Sequence, residues 1–309
     1  MDLQKFFKTY GNGLKDITIK NYSSRLNTIF KGIGKKGNIR SLNFLLLNQK
    51  DVIYFIDTTY TNLESKSSYF SVAYVALDFL LKKGNNIKKI VKAKDEYYRL
   101  AMEIRKELNC QVKKNIPTKK QADNYIEYEK LIEYAKNITN PMFKVIALFH
   151  LHYPIRNELR TLRVITYAKW GKIAKSLQKD NNWLIVYKDG RYVMVLNNYK
   201  TDKVYGEKVI DIQNDDVKDA LTKYLEDRDI DDEPYLLYGT KGGILQSHNY
   251  SKYVAKAFAG TGKTKITSTI LRHLVISHHC DNMGDDLKKD ADIACHSVST
   301  HLNYIKKYK

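Results

Sequence analysis

WLIVYKDGRYVMVLNN, residues 183–198, alternates apolar and polar side chains on both sides of Asp189-Gly190, a dipeptide suited to a tight turn. The pattern predicts a β-hairpin, and EKVIDI (207–212) supplies a third short strand. Outward from this sheet the chain reads as helix. Toward the C-terminus come an acidic helix over 214–228, helices around 249–258 and 267–279, and a short one near the end. Toward the N-terminus, 122–137 and 141–151 read as helices, and beyond them 87–108, 64–83 and 49–58. Ile19, Tyr22, Leu26, Ile29 and Phe30 share one face of a helix over 18–30, with Thr18 as its N-cap. The expected fold class is mainly α (α+β): a helical N-terminal domain, then a domain of helices with a small antiparallel sheet.

QVKKNIPTKKQ (111–121) is polar, basic and holds one of the four prolines, which marks it as a linker between domains 1–110 and 122–309. A length of 309 residues suits two domains, and 43 % hydrophobic content with 24 Tyr and 10 Phe excludes a disordered chain. Cys110, Cys280 and Cys295 form no disulfide framework. The N-terminus lacks an apolar signal region, and no stretch reaches 18 uninterrupted apolar residues, so an intracellular protein with no membrane partner is expected.

Charge points to the partner. There are 53 Lys+Arg against 34 Asp+Glu, a net +19, and residues 1–120 alone hold 24 basic and 10 acidic side chains. Such a surplus fits a polyanion, nucleic acid first. Lys20, Arg25, Lys31, Lys35, Lys36 and Arg40, on or beside the first helices, are the candidate contacts to it.

Four clusters carry residues fit for chemistry. YPIRNELRTLRV (153–164) sets Arg156, Arg160 and Arg163 among apolar residues, where a guanidinium needs an anion or a carboxylate such as Glu158. Lys200 and Lys203 follow the strand 191–198. In TSTILRHLVISHH (267–279), Arg272 and His273 sit between Ile270, Leu271, Leu274 and Ile276. ACHSVSTHLNYIKKYK (294–309) places His296 eight residues before Tyr304. Two further patterns are set aside. AGTGKT (259–264) has Ala257 where a phosphate loop requires glycine, and His278, His279, Cys280, Cys295 and His296 lack zinc-site spacing. No metal or cofactor is expected.

The order of the clusters, arginine, hairpin lysine, arginine on an apolar helix, then histidine and tyrosine, resembles the tyrosine recombinases, the phage integrase family. PIRNEL is similar to the family's G-L-R-x-x-E-L segment, with Glu158 one residue early; TILRH is similar to H-x-L-R-H, with Thr269 at the usual histidine; CHSVSTHLNY is similar to L-G-H-S…T…Y. The resemblance implies Tyr304 as nucleophile and Arg156, Arg272 and His296 around the phosphate. It implies Lys200 as the hairpin lysine, with Lys203 the second choice, and a weaker hydrogen bond from Thr269. Tyr308 lies too far from His296 to fit.

It further implies a core-binding domain and a catalytic domain that clamp double-stranded DNA, a homotetramer on two sites, and strand exchange through a 3′-phosphotyrosyl bond without metal or ATP. The variant motifs and a composition heavy in Lys, Asn, Ile and Tyr resemble recombinases of large DNA viruses or their satellite elements. Two rival functions share these residues: type IB topoisomerase nicking and resealing, and a DNA-binding protein with a decayed site, for which Thr269 is the supporting feature.

Overall fold

The computed structural model describes residues 1–309 apart from 12, 83–86, 232–233, 240–242, 264–265, 283–290, 295–296 and 308–309. The chain forms two compact units, Met1–Lys114 and Asn115–Lys309.

The first unit is helical. Asp2 caps Leu3–Tyr10, its Oδ1 accepting the N–H groups of Gln4 (2.9 Å) and Lys5 (3.2 Å). The next helix is Asp16–Gly32, entered from Lys15, so Thr18 lies in its first turn and is not the cap expected. Gln49–Thr59, Leu63–Leu81 and Ile87–Lys113 follow, the last running five residues past the expected end. Of the stretch 111–121 only 114–118 lies outside helix, and Thr118 opens Lys119–Asp123 with a reciprocal capping box to Gln121. Phe7, Leu26, Ile29, Ile56, Phe70 and Tyr97 are fully buried, and the Tyr97 hydroxyl donates to Leu45 O (2.9 Å), so the core holds no unpaired phenol there. Lys20, Lys31, Lys35, Lys36 and Arg40 are exposed and Arg25 is half-buried.

In the second unit, Pro141–His152 is the central helix. Asn140 caps it, proline occupies the first turn where no N–H is needed, and Val145–Phe149 are buried without interruption, as an element surrounded on all sides requires. Tyr128–Lys136, Asp215–Leu225, Ser247–Ala257 and Ser268–Asn282 pack around it.

The sheet has four strands in the order β1 (Leu162–Thr166), β2 (Asn182–Val186), β3 (Tyr192–Leu196), β4 (Lys208–Asp211). The expected hairpin is β2–β3: Gly190 N–H donates to Tyr187 O (3.2 Å) and Gly190 takes φ +82°, a left-handed conformation that glycine adopts without strain. The sheet is nevertheless mixed, correcting the antiparallel expectation. β1 pairs parallel with β2 because the chain crosses over through Tyr167–Trp170 and Lys175–Asp180 before returning. LRVIT does not read as a strand because Arg163 interrupts its apolar pattern; its guanidinium lies over Trp183 (5.6 Å) and Tyr235 (5.3 Å).

Gly260, in the glycine-rich AGTGKT stretch, serves packing. A Cβ there would come within 2.9 Å of the Tyr134 ring, and Gly260 N–H donates to the Tyr134 hydroxyl (3.1 Å). Among the described residues no helix is long and apolar enough to cross a membrane, and no group of three or more His, Cys, Asp or Glu could hold a metal ion.

Candidate active site

Arg272 sits on the helix Ser268–Asn282 and is 4 % exposed. A buried guanidinium is costly unless its N–H groups and charge are met. Nε donates to Pro154 O (3.0 Å) and Nη2 to Ile155 O (2.7 Å), carbonyls immediately before Arg156. These bonds join the helix to the Arg156 segment and aim both arginines at one place. Glu158 does not neutralise Arg156 by pairing with its guanidinium; its Oε2 accepts the Arg156 backbone N–H (2.6 Å). Among the described residues no carboxylate forms an ion pair with either guanidinium, although the Glu158 charge acts on Arg272 from nearby.

Tyr304 lies in the field of both arginines. It follows the helix Val298–Leu302, which Ser297 caps by accepting the Thr300 N–H (3.2 Å). The Arg272 guanidinium lies 5.5 Å from the Tyr304 ring centre, and the charges of Arg272 and Arg156 both act on the phenol. Burial opposes ionisation of Tyr304, but the nearby charges of Arg272 and Arg156 outweigh it and hold the phenol below its ordinary pKa. Burial likewise lowers the pKa of Arg272, against the pull of Tyr304.

The backbone at Tyr304 is anchored by side chains one turn apart on the Arg272 helix. His273 Nδ1 donates to Tyr304 O (2.7 Å), and the Lys306 N–H donates to Ser277 Oγ (2.8 Å). A carbonyl only accepts, so the His273 proton is on Nδ1. Burial pushes the His273 pKa down to about 4, leaving the ring neutral near pH 7. His150, hydrogen-bonded to Tyr250 (2.7 Å), is likewise held neutral, with a pKa of about 3 from burial and then the nearby Arg272 charge.

Thus Arg156, Arg272 and Tyr304, far apart in sequence, converge. Lys200 is exposed on the β3–β4 connection, and Thr269 is exposed one turn before Arg272. His296, Cys295 and Tyr308 lie outside the described residues. Arg160 and Arg163 serve the fold instead: Arg160 donates to Leu245 O (3.3 Å), and Arg163 lies against aromatic rings. Sequence reasoning places His273 in the arginine cluster but gives it no role, because a histidine on an apolar helix reads as core. Ser277 and Asn182 carry no signal at all.

The second unit, helices with a small sheet, therefore brings a tyrosine under the charge of two arginines. No family model and no curated protein matches the chain. Among solved structures it is similar to the Tn1549 transposon integrase in complex with a circular intermediate DNA, at 12 % identity and a TM-score of 0.60 over 99 % of this chain and 95 % of that one. It is also similar to a lambda integrase dimer bound to a COC′ core site, at 16 % identity and a TM-score of 0.57, covering 98 % of this chain and 75 % of that one. The chain has the fold of these DNA-bound integrases.

Proposed function

We propose that this chain is a site-specific DNA recombinase, a tyrosine recombinase that cuts and rejoins strands through a 3′-phosphotyrosyl intermediate on Tyr304. One observation carries the reading: the Arg272 guanidinium lies 5.5 Å from the Tyr304 ring centre, the Arg156 charge also acts on the phenol, and among the described residues no carboxylate forms an ion pair with either arginine. A phosphodiester gathers negative charge on its non-bridging oxygens in the transition state, and fixed guanidiniums stabilise that charge bidentately. Tyr304 Oη attacks phosphorus as its proton passes to His296 or to solvent, the P–O5′ bond breaks, and Lys200 gives the departing oxygen its proton. The reverse steps rejoin a strand, and because the phosphotyrosyl bond conserves the energy of the broken one, no ATP is consumed. His296 hydrogen-bonds the phosphate, and Thr269 supplies one weaker bond where the family has histidine. The mechanism assigns no step to a metal or cofactor.

In this reading residues 1–110 and 122–309, joined by 111–121, close on duplex DNA, with Lys20, Arg25, Lys31, Lys35, Lys36 and Arg40 on its phosphates. Four copies assemble on two sites, within a cell or viral factory, to move a mobile element or viral genome. The fold shared with DNA-bound integrases supports the reading.

The test is a trapping assay with nicked duplexes from the source genome, without metal or ATP. A covalent protein–DNA band, absent in Tyr304→Phe, is expected. Strand exchange between two sites and a cross-linked tetramer separate recombination from nicking and resealing alone. Binding without an adduct in any duplex would leave a DNA-binding protein and end the catalytic reading.

A further inference from the structure

Asn182 opens β2 and is 1 % exposed. Its side chain makes four hydrogen bonds of 2.8 Å each: Oδ1 accepts the backbone N–H groups of Asn197 and Asn198, and Nδ2 donates to Asn198 O and to Thr161 Oγ1. The partners fix the orientation of the amide, since a backbone N–H only donates and a carbonyl only accepts. Thr161 Oγ1 in turn donates to Glu158 O (2.8 Å), and Glu158 Oε2 accepts the Arg156 N–H (2.6 Å). A hydrogen-bonded path therefore runs from Arg156 through Glu158, Thr161 and Asn182 to Asn198, two residues before Lys200.

The sheet register agrees. Leu162 pairs with Asn182, and Trp183 pairs with Val195, so the start of β1, the start of β2 and the end of β3 lie at one edge. Asn197 adds bonds from its own amide to Gln178 O (3.1 Å) and Asn181 O (3.2 Å). The Tyr199 hydroxyl donates to Gly206 O (2.6 Å), closing the connection that carries Lys200. The root of this connection is fixed while the Lys200 side chain stays exposed.

We infer that Asn182 is a positioning residue for Lys200, tying the root of the β3–β4 connection to the segment that bears Arg156 so that proton donor and phosphate-binding arginine keep a set separation. The inference rests on the proposed role of Lys200. Asparagine suits the position because one neutral side chain offers two donors and an oxygen with two lone pairs, all four of them used. Aspartate would lose both donors and bury a charge, and an apolar residue would strand two backbone N–H groups.

The experiment compares cleavage of an ordinary duplex with one whose bridging 5′-oxygen at the scissile phosphate is replaced by sulfur. An alkoxide needs a proton to leave, whereas a thiolate leaves without one. Lys200→Ala is expected to slow the oxygen substrate about 10²-fold or more and to spare the sulfur substrate. Asn182→Ala and Thr161→Val should show the same signature at about 10- to 100-fold, because a displaced proton donor loses its alignment. Equal slowing of both substrates, or of neither, overturns the inference.

Thr161→Val keeps the side-chain shape and carries the test if Asn182→Ala fails to fold. Equal slowing of both substrates in Lys200→Ala would instead overturn the role of Lys200. Amide hydrogen exchange at Asn197 and Asn198, which needs no activity, then reports on the tie alone: faster exchange in Asn182→Ala keeps it, and unchanged exchange removes it.

Discussion

Cations in the two units meet opposite surroundings. In the first unit Lys20, Lys31, Lys35, Lys36 and Arg40 stand in solvent, where each is replaceable by another positive charge and is screened by salt. In the second, Arg272 is buried, with Nε and Nη2 donating to Pro154 O and Ile155 O, so its charge is fixed in place. Surroundings so unlike suit the two sets to different work. Mobile exposed charge gives affinity for a polyanion, while fixed, desolvated charge stabilises a transition state at one point. Mutation should separate the two.

The largest effect is expected from Tyr304→Phe, which removes the nucleophile: adduct formation is lost in the trapping assay while duplex affinity, read by anisotropy, stays near the parent value. Next, Arg272→Ala should slow adduct formation about 10²- to 10³-fold. It should also move the pH dependence. The arginines favour the phenolate, so the parent rate, if phenol ionisation controls it, rises with pH and levels off below the ordinary tyrosine pKa. Without Arg272 that favour shrinks and the plateau shifts to higher pH.

A smaller loss, on the order of 10-fold, is expected for His273→Phe, which keeps a ring but drops the bond to Tyr304 O; His273→Asn, with an N–H of similar reach, should recover most of it. The smallest effect on chemistry belongs to the first unit. Replacing Lys31, Lys35 and Lys36 by alanine should flatten the plot of log affinity against log salt by up to about 0.9 for each phosphate no longer neutralised. Cleavage of saturating DNA should be unchanged. A slower reaction on saturating DNA would break the division between the units.

Legibility in the sequence follows the range of the interactions. The β2–β3 hairpin is readable because alternation and Asp189-Gly190 act within a few residues. The central helix 141–152 is readable from its unbroken apolar run. Helix 122–137 is not, since the chain makes two elements, Lys119–Asp123 and Tyr128–Lys136, with a break where the Asn124 amide donates to Lys120 O (2.9 Å) and the Tyr125 N–H turns back to Ala122 O (3.1 Å). β1 and its parallel pairing depend on a crossover and on aromatic partners for Arg163 that lie far along the chain.

Residue types in order point to Arg156, Arg272 and Tyr304, yet not to how the arginines are held. That depends on carbonyls of Pro154 and Ile155, which every residue possesses and no motif marks. Asn182 is silent for the same reason, because its four partners are three backbone groups and one hydroxyl.

If Tyr304 supplies the oxygen that bonds to DNA, the bond can be located by mass spectrometry of the trapped adduct after nuclease and protease digestion. A nucleotide remnant linked through phosphate to Tyr304 is expected in the peptide that contains it. A remnant on Tyr308 or any other residue would show that Tyr304 is not the nucleophile.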